Sequence, residues 1–379
     1  MKFIHLSDLH LGKRVKEYSM LEDQKFILIS ILKIIDEVKP EAVVIAGDIY
    51  DKSVPATEAV ELFDDFLVKL AGRKLNVFVI SGNHDSPERL AFGNRLIYKT
   101  GIHISPVYNG DVTPIKLEDE YGVVNFYMLP YIKPANVRRF FVEKEISTYT
   151  DAVRVAVEHM AVDKKQRNVL ITHQFVTGAK RSGSEETSIG GSDNIDASVL
   201  EGFDYVALGH IHGPQNVESK RIRYCGSPLK YSLSEIKYQK SLTVIELNKK
   251  DTINVKTINL TPLHDMTEIK GKYSELMNKE YYDGKSLTSD YVRIILTDED
   301  DIPDAQTKLR IVYKNFMDID YDNQRTRHQS VIIGVENAEI KTPLQLFDEF
   351  YELQNGQKMS EEQSSYISNF IEKIWEEAQ

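Results

Sequence analysis

The sequence predicts an α/β protein carrying a small α+β cap and a helical tail, and three observations carry that prediction. Apolar, often β-branched runs alternate with helical spacing through the first 260 residues. Around Thr261-Pro262 the texture changes to shorter mixed elements, and beyond residue 341 only amphipathic helical spacing remains. The expected domains are therefore 1–260, 261–340 and 341–379.

Buried strands are expected at Phe3-Ile4 with Leu6, Val43–Ile45, Val77–Ile80, Val169–Ile171 and Val206–Leu208, because short continuous apolar runs mark strands covered on both faces. Helical spacing fills 21–38, where Leu21, Phe26, Ile29, Leu32 and Ile35 recur, and also 57–70 and 87–98. A strand-rich stretch runs on through Ser241–Leu247. In the cap, Lys272–Asn278 reads as a short helix, Tyr291–Leu296 as a strand, Asp304–Tyr313 as a helix and Asp318–Tyr321 as an extended piece, a compact β-α-β unit. Pro343 suits the first turn of a helix running to about Leu353, which Asn355-Gly356 ends; Ser360 then caps a second helix. Both tail helices carry a wide apolar stripe with large aromatic residues, Phe347 and Phe350 on the first, Phe370 and Trp375 on the second. Such a pair either folds back on its own domain or docks on a partner.

Composition narrows the class. The 379 residues are 41% hydrophobic, ample for packed cores, and the single cysteine excludes an intramolecular disulfide and fits a reducing cytoplasm. No run approaches the roughly 18 apolar residues of a membrane span, and the apolar stretch at the start is too short for a signal peptide, so a cytoplasmic protein is expected. There is no Gly-x-x-x-x-Gly-Lys-[Ser/Thr] phosphate loop, so any ATP dependence comes from another chain; Gly190-Gly191, within 182–193, reads as a flexible loop. A net charge of −11 argues against a pure DNA-binding module, yet residues 1–289 sum to only −1 and the last 39 residues to −5. Bound divalent ions would turn a neutral catalytic cleft positive. Basic clusters at Lys13-Arg14-x-Lys16, Arg138-Arg139, Lys180-Arg181 and Lys220-Arg221-x-Arg223 can meet phosphates or stand as solvated loops.

The chemistry lies in five blocks: Asp8-Leu9-His10, Gly47-Asp48, Gly82-Asn83-His84-Asp85, His173 and Gly209-His210-Ile211-His212. Each follows an expected strand, so the blocks converge where strands end. This mix of carboxylate, imidazole and amide suits two cations of the manganese, iron or zinc type held about 3.5–4 Å apart over a phosphate. Asp48 is the natural bridge, with Gly47 allowing the sharp turn. Asp8, His10 and His212 can complete one ion, and Asn83, His173 and His210 the other. Alternation in Asp8-x-His10 and His210-x-His212 puts each pair on one face of an extended segment. His84 is the expected non-metal catalytic group, donating to the leaving oxygen, with Asp85 holding its other ring nitrogen. His103, His159, His264 and His328 have no ligand-like spacing and read as ordinary surface or interior histidines.

The blocks at 8–10, 47–51, 82–85, 172–174 and 209–212 resemble the calcineurin-like metallophosphoesterases. The stretches Leu6–Gly12, Ile80–Ser86, Leu208–His212, Tyr224–Lys230 and Thr342–Phe350 are similar to the SbcD family, bacterial relatives of a eukaryotic double-strand-break repair nuclease. Cys225 departs from the small residue expected before Gly226-Ser227-Pro228. The resemblance implies a four-layer sandwich, two mixed sheets flanked by helices. It also implies a manganese-preferring DNA nuclease of repair, recombination and replication, with 3′-to-5′ exonuclease action on duplex ends and endonuclease action on hairpins and single strands. Implied partners are DNA, an SbcC-type coiled-coil ATPase held by the tail helices, and a second copy of the chain. The helices after Asp51 and Asp85 would pair across that dimer through Val60, Phe63, Phe66, Leu90, Phe92 and Leu96. The alternative is a small-substrate phosphodiesterase or phosphatase, because the metal chemistry alone does not choose between substrates.

Overall fold

In the computed structural model, which describes residues 1–183, 193–323, 343–355 and 358–377, two six-stranded mixed sheets lie at the centre of the first compact unit. That unit comprises Met1–Glu268, Lys285–Arg293 and Tyr313–Met317. The first sheet runs in the order Ile253–Asn259, Ser241–Leu247, Lys2–Leu6, Ala42–Ala46, Asn76–Ile80 and Ile102–Ile104. The second runs Gln215–Val217, Ser219–Tyr224, Tyr205–Gly209, Arg167–His173, Gly122–Leu129 and Ile115–Asp119. Four adjacent strands of each are parallel; antiparallel strands close both margins of the second sheet and one margin of the first.

Alternation along each strand divides the side chains between two cores. Phe3, Val44, Ala46 and Phe78 of the first sheet meet Phe126, Val169, Ile171 and Tyr205 of the second. Phe78 stacks on Phe126 at 4.5 Å between ring centroids, and Phe3 meets the same ring edge-on at 5.6 Å. The other face of the first sheet, Ile4, Leu6, Val43 and Ile45, is covered by the helices Leu21–Val38 and Thr57–Ala71. The other face of the second is covered by Tyr149–His159, which buries Ala152, Val153 and Ala156. The result is the four-layer arrangement of helices, sheet, sheet and helices.

Two local expectations change. On Leu21–Val38 the buried stripe is Gln24, Ile27, Leu28, Ile31, Leu32 and Ile35, while Phe26 and Ile29 stay exposed. The helix expected over 87–98 is instead two single turns, Pro87–Leu90 and Asn94–Ile97, because Gly93 takes a left-handed conformation (φ 74°) between them.

The second compact unit comprises Ile269–Gly284, Ile294–Val312 and Asp318–Gln379. The three-stranded sheet Met266–Gly271, Tyr291–Leu296, Asn315–Tyr321, with the helix Ala305–Val312, adds one strand to the β-α-β unit read from sequence. The tail helices are Pro343–Asn355 and Glu361–Glu377. Ser360 caps the second: its hydroxyl accepts from the Gln363 amide (3.2 Å), and the Gln363 side chain accepts from the Ser360 amide (2.9 Å). His328 and the Gly190-Gly191 loop lie outside the described residues.

Candidate metal centre

The parallel strands all end at one edge, and that edge collects the chemistry. Asp8 follows Lys2–Leu6, Asp48 follows Ala42–Ala46, Asn83 follows Asn76–Ile80, His173 ends Arg167–His173, and His210 follows Tyr205–Gly209. The loops are tied to one another by backbone bonds, from Asp8 N to Gly47 O (3.0 Å), His10 N to Asp48 O (3.0 Å) and Leu11 N to Ile49 O (2.9 Å). Asp8, His10, Asp48 and His210 all sit at positive φ, between 44° and 104°, at a cost of about 1–3 kcal/mol each. Close approach fixes the neighbouring glycines: a Cβ on Gly82 would lie 2.1 Å from Asp48 Oδ1, and one on Gly209 would lie 1.9 Å from Ala46 O.

The residues singled out from sequence come together. Asp48 Oδ2 lies 3.3 Å from His173 Nε2, 3.6 Å from His10 Nε2 and 4.0 Å from His84 Nε2. His10 Nε2 and His212 Nε2 face each other at 3.1 Å, with Asp8 in the same cluster. On the other side Asn83 Oδ1 is 3.0 Å from His173 Nε2 and 2.9 Å from His210 Nδ1. Asp8, His10, Asp48, His173, His210 and His212 are all buried.

The donor set fits two cations. His173 Nδ1 is held by Ala46 O (2.8 Å) and His212 Nδ1 by the Glu235 carboxylate (3.1 Å), so each ring turns its Nε2 toward the shared space. Burial holds His10 well below the ordinary histidine range and His210 at about 3, so both rings are neutral. His210 Nε2 has no hydrogen-bond partner, which leaves Nδ1 as the nitrogen that faces Asn83. Burial opposes ionisation of Asp48, but the His173 charge and hydrogen bond hold it well below the usual carboxylate range. For Asp8, burial dominates and raises its carboxyl.

His173 carries a pH consequence. Burial lowers its pKa, but the Asp48 charge and hydrogen bond outweigh burial and raise it to about 9. In the metal-free protein its Nε2 is therefore protonated below pH 9, and a cation must displace that proton. Manganese affinity should fall by up to about tenfold per pH unit from about 9 downward. Titration calorimetry in buffers of different ionisation heat checks it: release of about one proton per bound pair is expected, and pH-independent affinity would contradict it.

His84 stands apart from the buried set. Its side chain is 19% exposed, its amide donates to Asp48 Oδ1 (2.9 Å), and its Nδ1 meets Asp51 O at 3.0 Å. The expectation that Asp85 holds the His84 ring is corrected here. Asp85 instead accepts from the amides of Ile49 (3.1 Å), Tyr50 (2.9 Å) and Gly82 (2.9 Å), locking the Asp48 loop to the Asn83 loop. Burial and then the Asp48 charge raise its pKa to about 6.

Two further residues stand outside the motifs legible in the sequence. Gln24 spans from the Gly12 amide (2.9 Å) to His10 O (2.7 Å) and fixes the loop that carries His10. Glu235, fully buried, accepts from His212 and from Lys240, whose ammonium also donates to His212 O (2.9 Å) and Ser227 Oγ (2.8 Å). Burial works against its charge, but the His212 hydrogen bond and Lys240 hold Glu235 at about 2. Glu235→Gln should lower metal affinity about 10–100-fold while the protein stays folded. An unchanged manganese isotherm would reduce Glu235 to a packing role.

Among the basic clusters, Lys13 pairs with Asp51 at 2.6 Å and Arg181 pairs with Asp193 while lying 3.6 Å over the Phe175 ring. Lys220 bonds Ile253 O, Arg221 pairs with Asp251, and Arg223 is buried against Asn216 and Thr243. That last cluster belongs to the frame rather than to a phosphate surface. His103 and His264 have ordinary neighbours, Asn76 and Asp23, and His159 packs on Phe141.

Comparison with known proteins agrees with the geometry. Residues 1–214 match the calcineurin-like phosphoesterase family, and residues 262–355 match the type 5 capsule protein repressor C-terminal domain. The SbcD nuclease chain of SbcCD from Staphylococcus epidermidis is 31% identical over 378 residues, covering 99% of both chains. Among solved structures, a dimetal phosphatase from Danio rerio is 12% identical with a TM-score of 0.39, covering 69% of this chain and 98% of its own. TT1561 of Thermus thermophilus is also 12% identical, with a TM-score of 0.41 over 68% of this chain and 98% of its own. Neither likeness is close enough to inform the site. The family match over more than half the chain, joined to the end-to-end identity with the staphylococcal SbcD, places this chain in the calcineurin-like phosphoesterases, within the SbcD family.

Proposed function

We propose that this protein is the nuclease subunit of an SbcCD-like complex, hydrolysing DNA phosphodiesters at a two-metal centre. The observation that carries the reading is the convergence of six donor residues around Asp48 in a chain alike from end to end to a known nuclease. Asp8, His10, Asp48 and His212 would hold one ion and Asp48, Asn83, His173 and His210 the other, with manganese the expected metal. When bound, such a pair orients the phosphate, activates water and offsets developing negative charge. His84, poised over the site with one ring nitrogen fixed on Asp51 O, donates a proton to the departing oxygen. Asp85 acts as a positioning residue through the loop amides.

The finer activities we propose are 3′-to-5′ exonuclease action on duplex ends and endonuclease action on hairpins and single strands, in cytoplasmic, nucleoid-associated DNA repair, recombination and replication. Residues 261–340 form the cap that contacts DNA, and 341–379 dock an SbcC-type ATPase. No helix among the described residues is long and apolar enough to cross a membrane. The homodimer reading is narrowed by burial: Phe63, Phe66 and Leu90 belong to the subunit's own core, whereas Phe92 and Leu96 are 88% and 85% exposed and Val60 is 42% exposed. The dimer contact we propose therefore centres on Phe92 and Leu96.

Cleavage of supercoiled plasmid and of a hairpin oligonucleotide with manganese, beside a chromogenic phosphate ester, tests the assignment. Rapid cleavage of both DNAs supports the nuclease; turnover of the ester alone would favour a small-substrate phosphodiesterase. Deleting residues 341–379 should leave manganese-dependent cleavage largely intact and abolish association with the ATPase. Phe347 and Phe350 are exposed on the tail, and such aromatic anchors dominate interface energies. A truncated chain that unfolds at much lower temperature would show instead that the tail completes its own domain.

A further inference from the structure

Two of the proposed ligands of the first ion, Asp8 and His10, flank Leu9, and the backbone there is strained, with Asp8 at φ 53° and His10 at φ 44°. Such conformations persist only where neighbouring groups hold them. The amides of Asp8 and His10 are taken by the Asp48 loop, at Gly47 O and Asp48 O. The carbonyls of Leu9 and His10 are taken by two buried side chains from distant parts of the chain, Tyr231 and Gln24, only 3% and 1% exposed.

The polar atoms of this pair fit together in one way. The Tyr231 hydroxyl donates its proton to Leu9 O (2.5 Å) and accepts from Gln24 Nε2 (3.1 Å). Gln24 Nε2 gives its other proton to His10 O (2.7 Å), while Gln24 Oε1 accepts from the Gly12 amide (2.9 Å). Turning that amide over would set Oε1 against His10 O, so the network admits a single orientation. The Tyr231 ring bears on the same ligands. It meets the His10 ring edge-on at 5.6 Å and the His212 ring edge-on at 6.0 Å, the two imidazoles whose Nε2 atoms face each other. Asp23, beside Gln24 on the helix Leu21–Val38, anchors the same turn elsewhere: its carboxylate accepts from the His264 amide (3.0 Å) and the Tyr291 hydroxyl (2.8 Å).

We infer that Tyr231, acting with Gln24, is a positioning residue for the first ion of the pair. Its hydroxyl and the Gln24 amide hold the strained segment that carries Asp8 and His10, and its ring backs the His10 and His212 imidazoles. The inference rests on the two-metal reading and adds to it a residue that stands in none of the ligand blocks. Removing the hydroxyl leaves Leu9 O and one Gln24 N–H without their partner inside the protein, and that loss falls on the ligand segment itself. Removing the Tyr291 hydroxyl falls instead on Asp23, which touches no ligand segment.

Calorimetric titration of the full chain with manganese tests the clamp apart from general stability. Tyr231→Phe keeps the ring and removes only the hydroxyl; affinity for one of the two ions should fall about 10–100-fold, the usual effect of groups that orient ligands, while the other ion binds as in wild type. Gln24→Met should do the same, and the double variant should lose little more than the worse single one, because the two side chains act as a unit. Tyr291→Phe is the control: it removes a buried phenol hydroxyl from the same helical turn and should leave both manganese affinities at wild type, whatever it does to the melting temperature. A manganese isotherm unchanged in either folded single variant overturns the inference and leaves the two-metal reading standing. So does an equal loss of affinity in Tyr291→Phe. A wild-type chain that binds no manganese overturns both.

Discussion

Asp48→Ala should abolish DNA cleavage, with a loss on the order of a thousandfold or more, because one carboxylate serves both ions of the pair. Its surroundings make the effect separable from folding. Asp48 Oδ1 accepts from the His84 amide while Oδ2 faces the His173 and His10 rings. Asp48→Asn keeps an oxygen for that amide and nearly the same volume, but removes the charge that draws the cations together. The Asn variant should therefore melt close to wild type and still be inactive, with fewer than two manganese ions retained per chain. By contrast, Asp8→Ala or His10→Ala should empty mainly one site. Two ions still bound in Asp48→Ala would remove Asp48 from the bridging role.

His84→Ala should cost about 10²–10⁴-fold in rate, the usual share of a general acid, while manganese content and DNA affinity stay near wild type. The ring is placed for that role: partly exposed, 4.8 Å from the His10 ring and anchored by Nδ1 on Asp51 O. His84 also falls in a cluster with His10 and Asp48 whose donor atoms could hold an ion. The metal content of the variant decides between the two. Loss of manganese on His84→Ala would move His84 into the ligand set and leave Asn83 as the residue to re-examine.

What the chain discloses before folding is the chemistry carried by short blocks at strand ends. Val43–Ile45 and Val77–Ile80 are apolar runs suited to strands covered on both faces, and Asp48 and Asn83 follow them closely, so sequence order becomes spatial convergence. Partners brought from far away are not written locally. Glu235 meets His212 across 23 residues and Gln24 meets His10 across 14, and neither stands in a motif that announces it. The role of Asp85 is hidden for a related reason. Adjacency suggests the His84 ring, but the folded loops bring the amides of Ile49 and Tyr50 within reach, and three backbone N–H groups claim the carboxylate. Helical spacing over 87–98 misleads because Gly93 turns left-handed. Phe63 and Phe66 show the ambiguity of apolar stripes: the same spacing serves a dimer face or a private core, and burial in one cluster with Ile4 and Leu6 of the first sheet assigns them to the core.

The central claim is a pair of cations bridged by Asp48, and anomalous diffraction from crystals of the full chain soaked in manganese tests it most directly. Two peaks about 3.5–4 Å apart are expected, one bounded by Asp8, His10 and His212, the other by Asn83, His173 and His210, with the Asp48 carboxylate between them. A single peak, or two peaks that do not share Asp48, would contradict it.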